Sequence, residues 1–73
     1  VFALAAETVG QHGMALIGEG VCAIDGDGKT AEFALSVADA WQGQGIGRAL
    51  LAGIGLRAFA RGVDLLHGEV LRG

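Results

Sequence analysis

The segment TAEFALSVADAWQGQGIGRALL, residues 30–51, is the most informative part of the chain about the fold, because two different periodicities meet in it. In its first part, apolar residues alternate with small or polar ones, which is the two-residue period of a half-buried strand. In its last part, apolar residues recur every three or four positions, and this pattern predicts a helix over about residues 46–60. A glycine-rich loop at residues 39–45 joins the two. The stretch therefore predicts a strand, a loop and a helix in that order.

The strand predicted at residues 30–38 has two different faces. Its large apolar residues fall at every second position: Phe33, Leu35 and Val37. The opposite face carries Glu32 beside the small residues Ala34 and Ser36. Small neighbours on one strand face leave room for a ligand, so this second face is a candidate binding surface.

Two more strands are predicted before this unit, at about residues 2–9 and 14–24. The glycines of residues 10–13 indicate a turn between them. Residues 25–29, Asp-Gly-Asp-Gly-Lys, form a second turn, because Asp-Gly pairs supply the positive φ that tight hairpins require. Such short connections join antiparallel strands.

A fourth strand is predicted after the helix, at about residues 63–71. Gly62 is a typical helix stop, and a strand, a helix and a further strand in that order form a parallel crossover. The expected fold class is therefore α+β: an antiparallel three-stranded meander, then a helix and a parallel strand. We expect residues 1–73 to form a single unit of this kind.

The composition excludes several classes of protein. Apolar residues make up 52% of the 73 residues and charged residues 18%, so the chain is expected to form a core. A net charge of −3 with five Lys and Arg residues argues against a nucleic-acid surface. The longest apolar or glycine run, residues 49–56, is far shorter than the roughly 18 residues that span a membrane. We expect no nucleic-acid or membrane partner and, since no basic leader precedes an apolar stretch, a cytoplasmic protein.

The potential metal ligands are few and scattered. The chain has one cysteine, Cys22, and two histidines, His12 and His67, at spacings that match no recognisable zinc site. A single cysteine also excludes an internal disulfide. We therefore expect no metal site, a small core residue at Cys22, and a solvated side chain at His12.

The loop QGQGIGR, residues 42–48, carries the most specific chemistry in the chain. Free N–H groups at the start of a helix, together with the helix dipole, favour an anion. Glycines let the main chain approach a phosphate without a Cβ in the way. Arg48 falls in the first helical turn, where a cation opposes the dipole unless an anion lies nearby. The loop therefore predicts an anion site.

Three better-known loops do not fit. The dinucleotide pattern G-x-G-x-x-G fails, because Arg48 or Leu50 stands where the last glycine is needed. A Walker A loop would require a glycine at Ala23. A calcium loop that starts at Asp25 would have Lys29 at its fifth position.

A fourth pattern does fit: Gln/Arg-x-x-Gly-x-Gly/Ala, filled by Gln42, Gly45 and Gly47. With a strand before it and a helix after it, the sequence over residues 14–71 resembles the GCN5-related N-acetyltransferase (GNAT) superfamily. Residues 31–34 and 68–71 look most like the acetyltransferase domains of bacterial protein-lysine acetyltransferases.

The resemblance implies acetyl-CoA as the acyl donor and a primary amine, such as a protein lysine, as the acceptor. It assigns the pyrophosphate to the loop and helix start: Gln42, Gly43, Gln44, Gly45, Ile46, Gly47 and Arg48. It assigns the pantetheine arm to the backbone of the preceding strand: Leu35, Ser36 and Val37. That strand is expected to splay away from the strand at residues 63–71 and leave a slot for the thioester.

The family reaction needs a base, because the attacking amine must first lose a proton. By the resemblance, Glu32 is the candidate for this role, and a solvated carboxylate is the alternative interpretation. Glu69 is a weaker second candidate. His67 stands where the resembling segment is usually apolar, and we expect it to be a buried or edge histidine.

A second interpretation, a non-catalytic module that binds CoA or self-associates, stays open. A whole domain of this family is longer than 73 residues, so we expect a partial domain, and the chain contains no tyrosine, a residue that often serves the family as general acid. An apolar stripe lies on a helix face of its own: Ala52, Leu56 and Phe59. This stripe or an open sheet edge could pair with a second copy. Gly53 and Gly55 lie beside the stripe, where we expect close approach of a partner.

Overall fold

The computed structural model describes residues 1–10 and 13–72, so the predicted turn residue His12 lies outside the described residues. Its elements are, in chain order, strand β1 (Phe2–Gly10), strand β2 (Gly13–Ile24), strand β3 (Thr30–Val37), a short 3₁₀ turn (Asp39–Trp41), helix α1 (Ile46–Ala60) and strand β4 (Leu65–Arg72).

The four strands form one sheet in the order β1-β2-β3-β4. Strand β2 runs antiparallel to both β1 and β3, and β4 runs parallel to β3. The predicted α+β class and the mixed sheet are confirmed. The strand bounds differ slightly from the expected ones, most at β4, which begins at Leu65 and not at Val63. Val63 is instead a buried core residue, 3% exposed.

The turn between β2 and β3 is held by one aspartate. The Asp27 carboxylate accepts hydrogen bonds from the backbone N–H groups of Lys29 at 2.9 Å and of Thr30 at 3.1 Å. Gly28 supplies the positive φ, 71°, and its N–H bonds to the carbonyl of Asp25 at 2.9 Å. The hydrogen bonds from Lys29 and Thr30 lower the pKa of Asp27.

Helix α1 covers one face of the sheet and forms the core with it. Its buried positions include Leu50, Ile54 and Ala58, the predicted helical stripe. The sheet contributes the other core side chains: Cys22, Ala31, Leu35 and Val37. No helix in the described part of the chain is long and apolar enough to cross a membrane.

Two sheet glycines allow the helix to approach closely. A Cβ at Gly20 would lie 2.6 Å from Leu35 Cδ2 and 2.7 Å from Ile54 Cδ1. A Cβ at Gly18 would lie 3.3 Å from Leu50 Cδ1. Strand β2 therefore has glycine where α1 packs on it, and the register of β1 against β2 also shifts between Ala6 and Glu7, opposite Gly18 and Leu16.

The glycines within α1 lie against side chains of the same chain. A Cβ at Gly53 would lie 2.8 Å from Leu4 Cδ1, so the close approach at Gly53 is made by β1 of the same chain. The approach of a partner beside the apolar stripe stays a prediction. Gly55 is buried, and a Cβ there would lie 3.7 Å from Phe59 Cε2, in the ring one turn further along the helix.

Candidate functional site

The loop after β3 is fixed to the end of that strand. The N–H of Ala38 bonds to the carbonyl of Ile17 at 2.8 Å. The side-chain amide of Gln42 donates to the carbonyl of Val37 at 3.2 Å and to the carboxylate of Asp39 at 3.1 Å. Gln42 thus closes the loop onto the strand, and the glycines that follow it are held at the carboxyl end of β3.

Two of these glycines adopt a conformation that other residues avoid. Gly43 has φ 79° and Gly45 has φ 82°, both in the left-handed region. Gly45 is the N-cap of α1, and no side chain caps the helix there. The carbonyl of Gly45 accepts the first helical hydrogen bond, from the N–H of Ala49 at 3.0 Å. The N–H groups before Ala49 therefore have no helical carbonyl to bond, and they are available to an anion.

The charge at the helix start also suits an anion. The first turn of α1 contains no acidic residue, and Arg48 is exposed in it. A Cβ at Gly43 or Gly45 would meet no atom within 4 Å, so the space in front of the loop is open. A Cβ at Gly47 would meet only Val37 Cγ2, at 3.7 Å. The loop can therefore hold a diphosphate with backbone N–H groups and one arginine.

A second candidate region lies on the sheet face that α1 leaves open. A groove of about 520 Å³ is lined there by three polar side chains, Glu32, His67 and Glu69, above small or apolar residues that include Ala23 and Ala34. The strand register explains the grouping, because Glu32 pairs with His67 and Ala34 pairs with Glu69. Paired residues of neighbouring strands point to the same face. Glu32 is exposed in this groove, beside Ala34 as the alternation predicts.

All four glutamates of the chain lie on this open face, one on each strand: Glu7, Glu19, Glu32 and Glu69. The strand residues whose side chains are described include no Lys or Arg to neutralise them. Three arginines, Arg48, Arg57 and Arg61, lie on or just after α1, on the other side of the sheet. The open face therefore carries a negative potential, which attracts a cation such as an ammonium group.

The predicted slot between the third and fourth strands is not present. Strands β3 and β4 are paired from Thr30 opposite Leu65 to Val37 opposite Arg72. A Cβ at Gly68 would collide with the carbonyl of Phe33 and lie 2.7 Å from its ring atom Cδ1. The absence of that Cβ lets the two backbones come together, and complete pairing satisfies their N–H and C=O groups. The expected splay is therefore wrong for this structure.

The complete pairing of β3 with β4 affects the predicted contacts of the pantetheine arm with Leu35, Ser36 and Val37. Their backbones are paired with β2 on one side and β4 on the other. The role of these residues stays a prediction, and it requires the carboxyl ends of β3 and β4 to separate when a ligand binds. Glu32 and Val37 are five residues apart along β3, which is roughly 17 Å at a strand's rise per residue.

Residues 3–72 match the family model described as an acetyltransferase (GNAT) domain. The chain belongs to the GNAT acetyltransferase family. No match was found among curated proteins or among solved structures. The glycine-lined helix start at Gly43–Gly47 lies within the matched part of this GNAT chain, and family membership implies the use of an acyl-CoA.

His67, which was expected to be a buried or edge histidine, lies on β4 at the edge of the sheet in this GNAT chain. Its side chain is exposed in the groove next to Glu32, and this position the sequence did not indicate. Its two-residue spacing from Glu69 was the signal that could have placed both on one face. Within residues 1–10 and 13–72, no three His, Cys, Asp or Glu side chains are grouped so as to hold a metal ion.

Proposed function

We propose that this GNAT chain is the core of an acetyl-CoA-dependent N-acetyltransferase that transfers an acetyl group to a primary amine. The observation that carries the proposal is the uncapped start of α1 behind Gly43 and Gly45, at the carboxyl end of β3. Acetyl-CoA supplies an activated acyl thioester. The backbone N–H groups of Gly45, Ile46 and Gly47 hold its pyrophosphate, and Arg48 neutralises part of the phosphate charge.

The rest of the donor lies along β3. The backbone of Leu35–Val37 accepts the pantetheine arm after the ends of β3 and β4 have separated. This places the thioester near Glu32, because the separation between the loop and Glu32 along the strand is of the order of an extended pantetheine arm.

The open face of the sheet accepts the amine. Primary amines are cations near neutral pH, and the four glutamates on this face favour a cation. Glu32 takes the proton that the amine must lose, and the small neighbours Ala23 and Ala34 leave room for an alkyl chain beside it. A lysine side chain on a protein has this chemistry, and we propose it as the acceptor.

Calorimetric titration with CoA tests the donor site. Gly47→Val places a branched side chain among the proposed phosphate contacts, while its Cβ meets only Val37 Cγ2 at 3.7 Å, so the fold should persist. We expect wild type to bind CoA and the variant to lose most of that binding. Gly26→Ala is the matched control, because a Cβ there meets no atom within 4 Å and lies far from the loop in sequence. A folded wild-type chain that binds no CoA would contradict the proposal.

A second candidate function is self-association, and one surface favours it. A largely apolar groove of about 640 Å³ runs beside α1. The side chains that line it include Leu51, Leu56, Phe59, Phe33 and Leu66. Leu56 is 73% exposed and Phe59 is 55% exposed, which is unusual for residues of this size on a short chain. A second copy of the chain is the proposed occupant, and this role does not exclude the first.

A further inference from the structure

The sequence-based prediction gives the base role to Glu32, with Glu69 as a weaker second candidate, but the groove also contains the imidazole of His67 beside Glu32. His67 of β4 is paired in register with Glu32 of β3. Neighbouring strands lie about 4.8 Å apart, so the two side chains leave the sheet side by side on the same face. Both line the same groove of about 520 Å³, and both are exposed to solvent in it.

We propose that His67 completes the base: Glu32 takes the proton from the acceptor ammonium, and His67 passes it to solvent. This inference rests on the proposed function and deepens it. An imidazole changes its charge closer to neutral pH than a carboxyl group does, so it both accepts and releases a proton readily there.

The proton balance is complete without any further reactant. The ammonium N–H bond breaks, its electron pair stays on nitrogen, and the proton moves to Glu32 and then to His67. The free amine attacks the thioester carbon, an N–C bond forms, and the C–S bond breaks with its electron pair on sulfur. The second proton of the attacking nitrogen ends on that sulfur as a thiol, and His67 releases the first proton to water.

The other charged groups around His67 are few. On its own strand, Glu69 stands two residues away on the same face. From β3, Glu32 is the only titratable residue that lines the groove, and the β2 residues that line it on this face, Val21 and Ala23, carry no charge. Val1, with its α-amino group, also lines the groove. Two carboxylates therefore flank the imidazole among the described residues, and Glu32 is the one in register with it.

The first test measures the proximity of the two side chains and needs no activity. The NMR shifts of the His67 imidazole are compared in wild type, in Glu32→Gln and in the matched control Asp25→Asn, which removes a carboxylate from the turn. The chain has two histidines, so loss of the signal in His67→Ala assigns it. We expect Glu32→Gln to change the His67 shifts and Asp25→Asn to leave them unchanged, because Glu32 is in register with His67. Unchanged shifts in Glu32→Gln would overturn the pairing.

The second test measures acetyl transfer to a lysine-containing peptide. We expect His67→Ala to lower kcat about 10-fold or more near neutral pH, with the KM for acetyl-CoA unchanged. Added imidazole should restore part of the lost rate in His67→Ala and none in Glu32→Gln, which a purely structural role of His67 would not produce. An unchanged kcat in His67→Ala overturns the role of His67 and leaves the proposed function in place. Wild type that binds CoA but transfers nothing overturns the proposed function and, with it, the role of His67.

Discussion

Gly20 of β2 lies directly beneath Ile54 of α1, with no space for a side chain between them. A Cβ at Gly20 would be 2.7 Å from Ile54 Cδ1. Ile54 is fully buried, so it cannot move aside without disturbing the rest of the core. This contact sets how closely the helix rests on the sheet, and therefore where the start of the helix stands relative to the end of β3.

The first prediction follows from this contact. Gly20→Ala should lower the free energy of unfolding by about 1–3 kcal/mol, because the added methyl group overpacks the core against Leu35 and Ile54. Urea unfolding followed by circular dichroism measures the change. Gly26→Ala is the control, since a Cβ there has open space, and it should change stability by no more than about 0.5 kcal/mol. Equal stability of the two variants would contradict the tight packing at Gly20.

The second prediction concerns the charge at the start of α1. Arg48→Gln should weaken CoA binding about 10-fold or more, because it removes a charged hydrogen-bond donor from the phosphate site. The salt dependence of CoA binding should also decrease. Arg57→Gln is the matched control, because Arg57 bonds to the carbonyl of Gly53 at 3.3 Å and lies near the other end of the helix. Equal loss of affinity in both variants would indicate a general charge effect.

The third prediction concerns the pH dependence of stability. Hydrogen bonds from the N–H groups of Lys29 and Thr30 hold the pKa of Asp27 below its usual value. The ionised carboxylate therefore stabilises the fold above the pKa that Asp27 has in the unfolded chain, and this contribution is lost as the pH falls through the lowered folded value. Asp27→Asn should flatten the decrease in stability on the acid side, as measured by urea unfolding at several pH values. Asp25→Asn changes the same turn but leaves Asp27 in place, so it should still show the decrease in stability at acid pH that Asp27 causes.

The fourth prediction concerns self-association through the exposed groove beside α1. Sedimentation equilibrium should show a concentration-dependent dimer of the wild type. The double variant Leu56→Gln/Phe59→Gln should stay monomeric, with a stability of the monomer within about 0.5 kcal/mol of wild type, because both side chains are exposed. Leu16→Gln is the control, since Leu16 is 57% exposed on β2, away from this groove. A wild type that is monomeric at every concentration would contradict this proposal.

The order of the elements, the faces of β3 and the glycine loop could all be predicted from the sequence. These features are local: alternation fixes which side of a strand Glu32 and Leu35 take, and a helical period fixes the buried stripe at Leu50 and Ile54. The positive φ of Gly43 and Gly45 follows from residues within a few positions of each other. Local patterns of this kind can be read without knowing what the rest of the chain does.

The contacts between distant residues became visible only in the folded chain. Glu32 and His67 are far apart in the chain, and the register of β3 against β4 places them side by side. The same register brings Gly68 against Phe33 and closes the slot that the sequence led us to expect. Gly53 likewise has its neighbour, Leu4, on the first strand. Register and helix position result from the packing of the whole core, and no periodicity within one segment contains them.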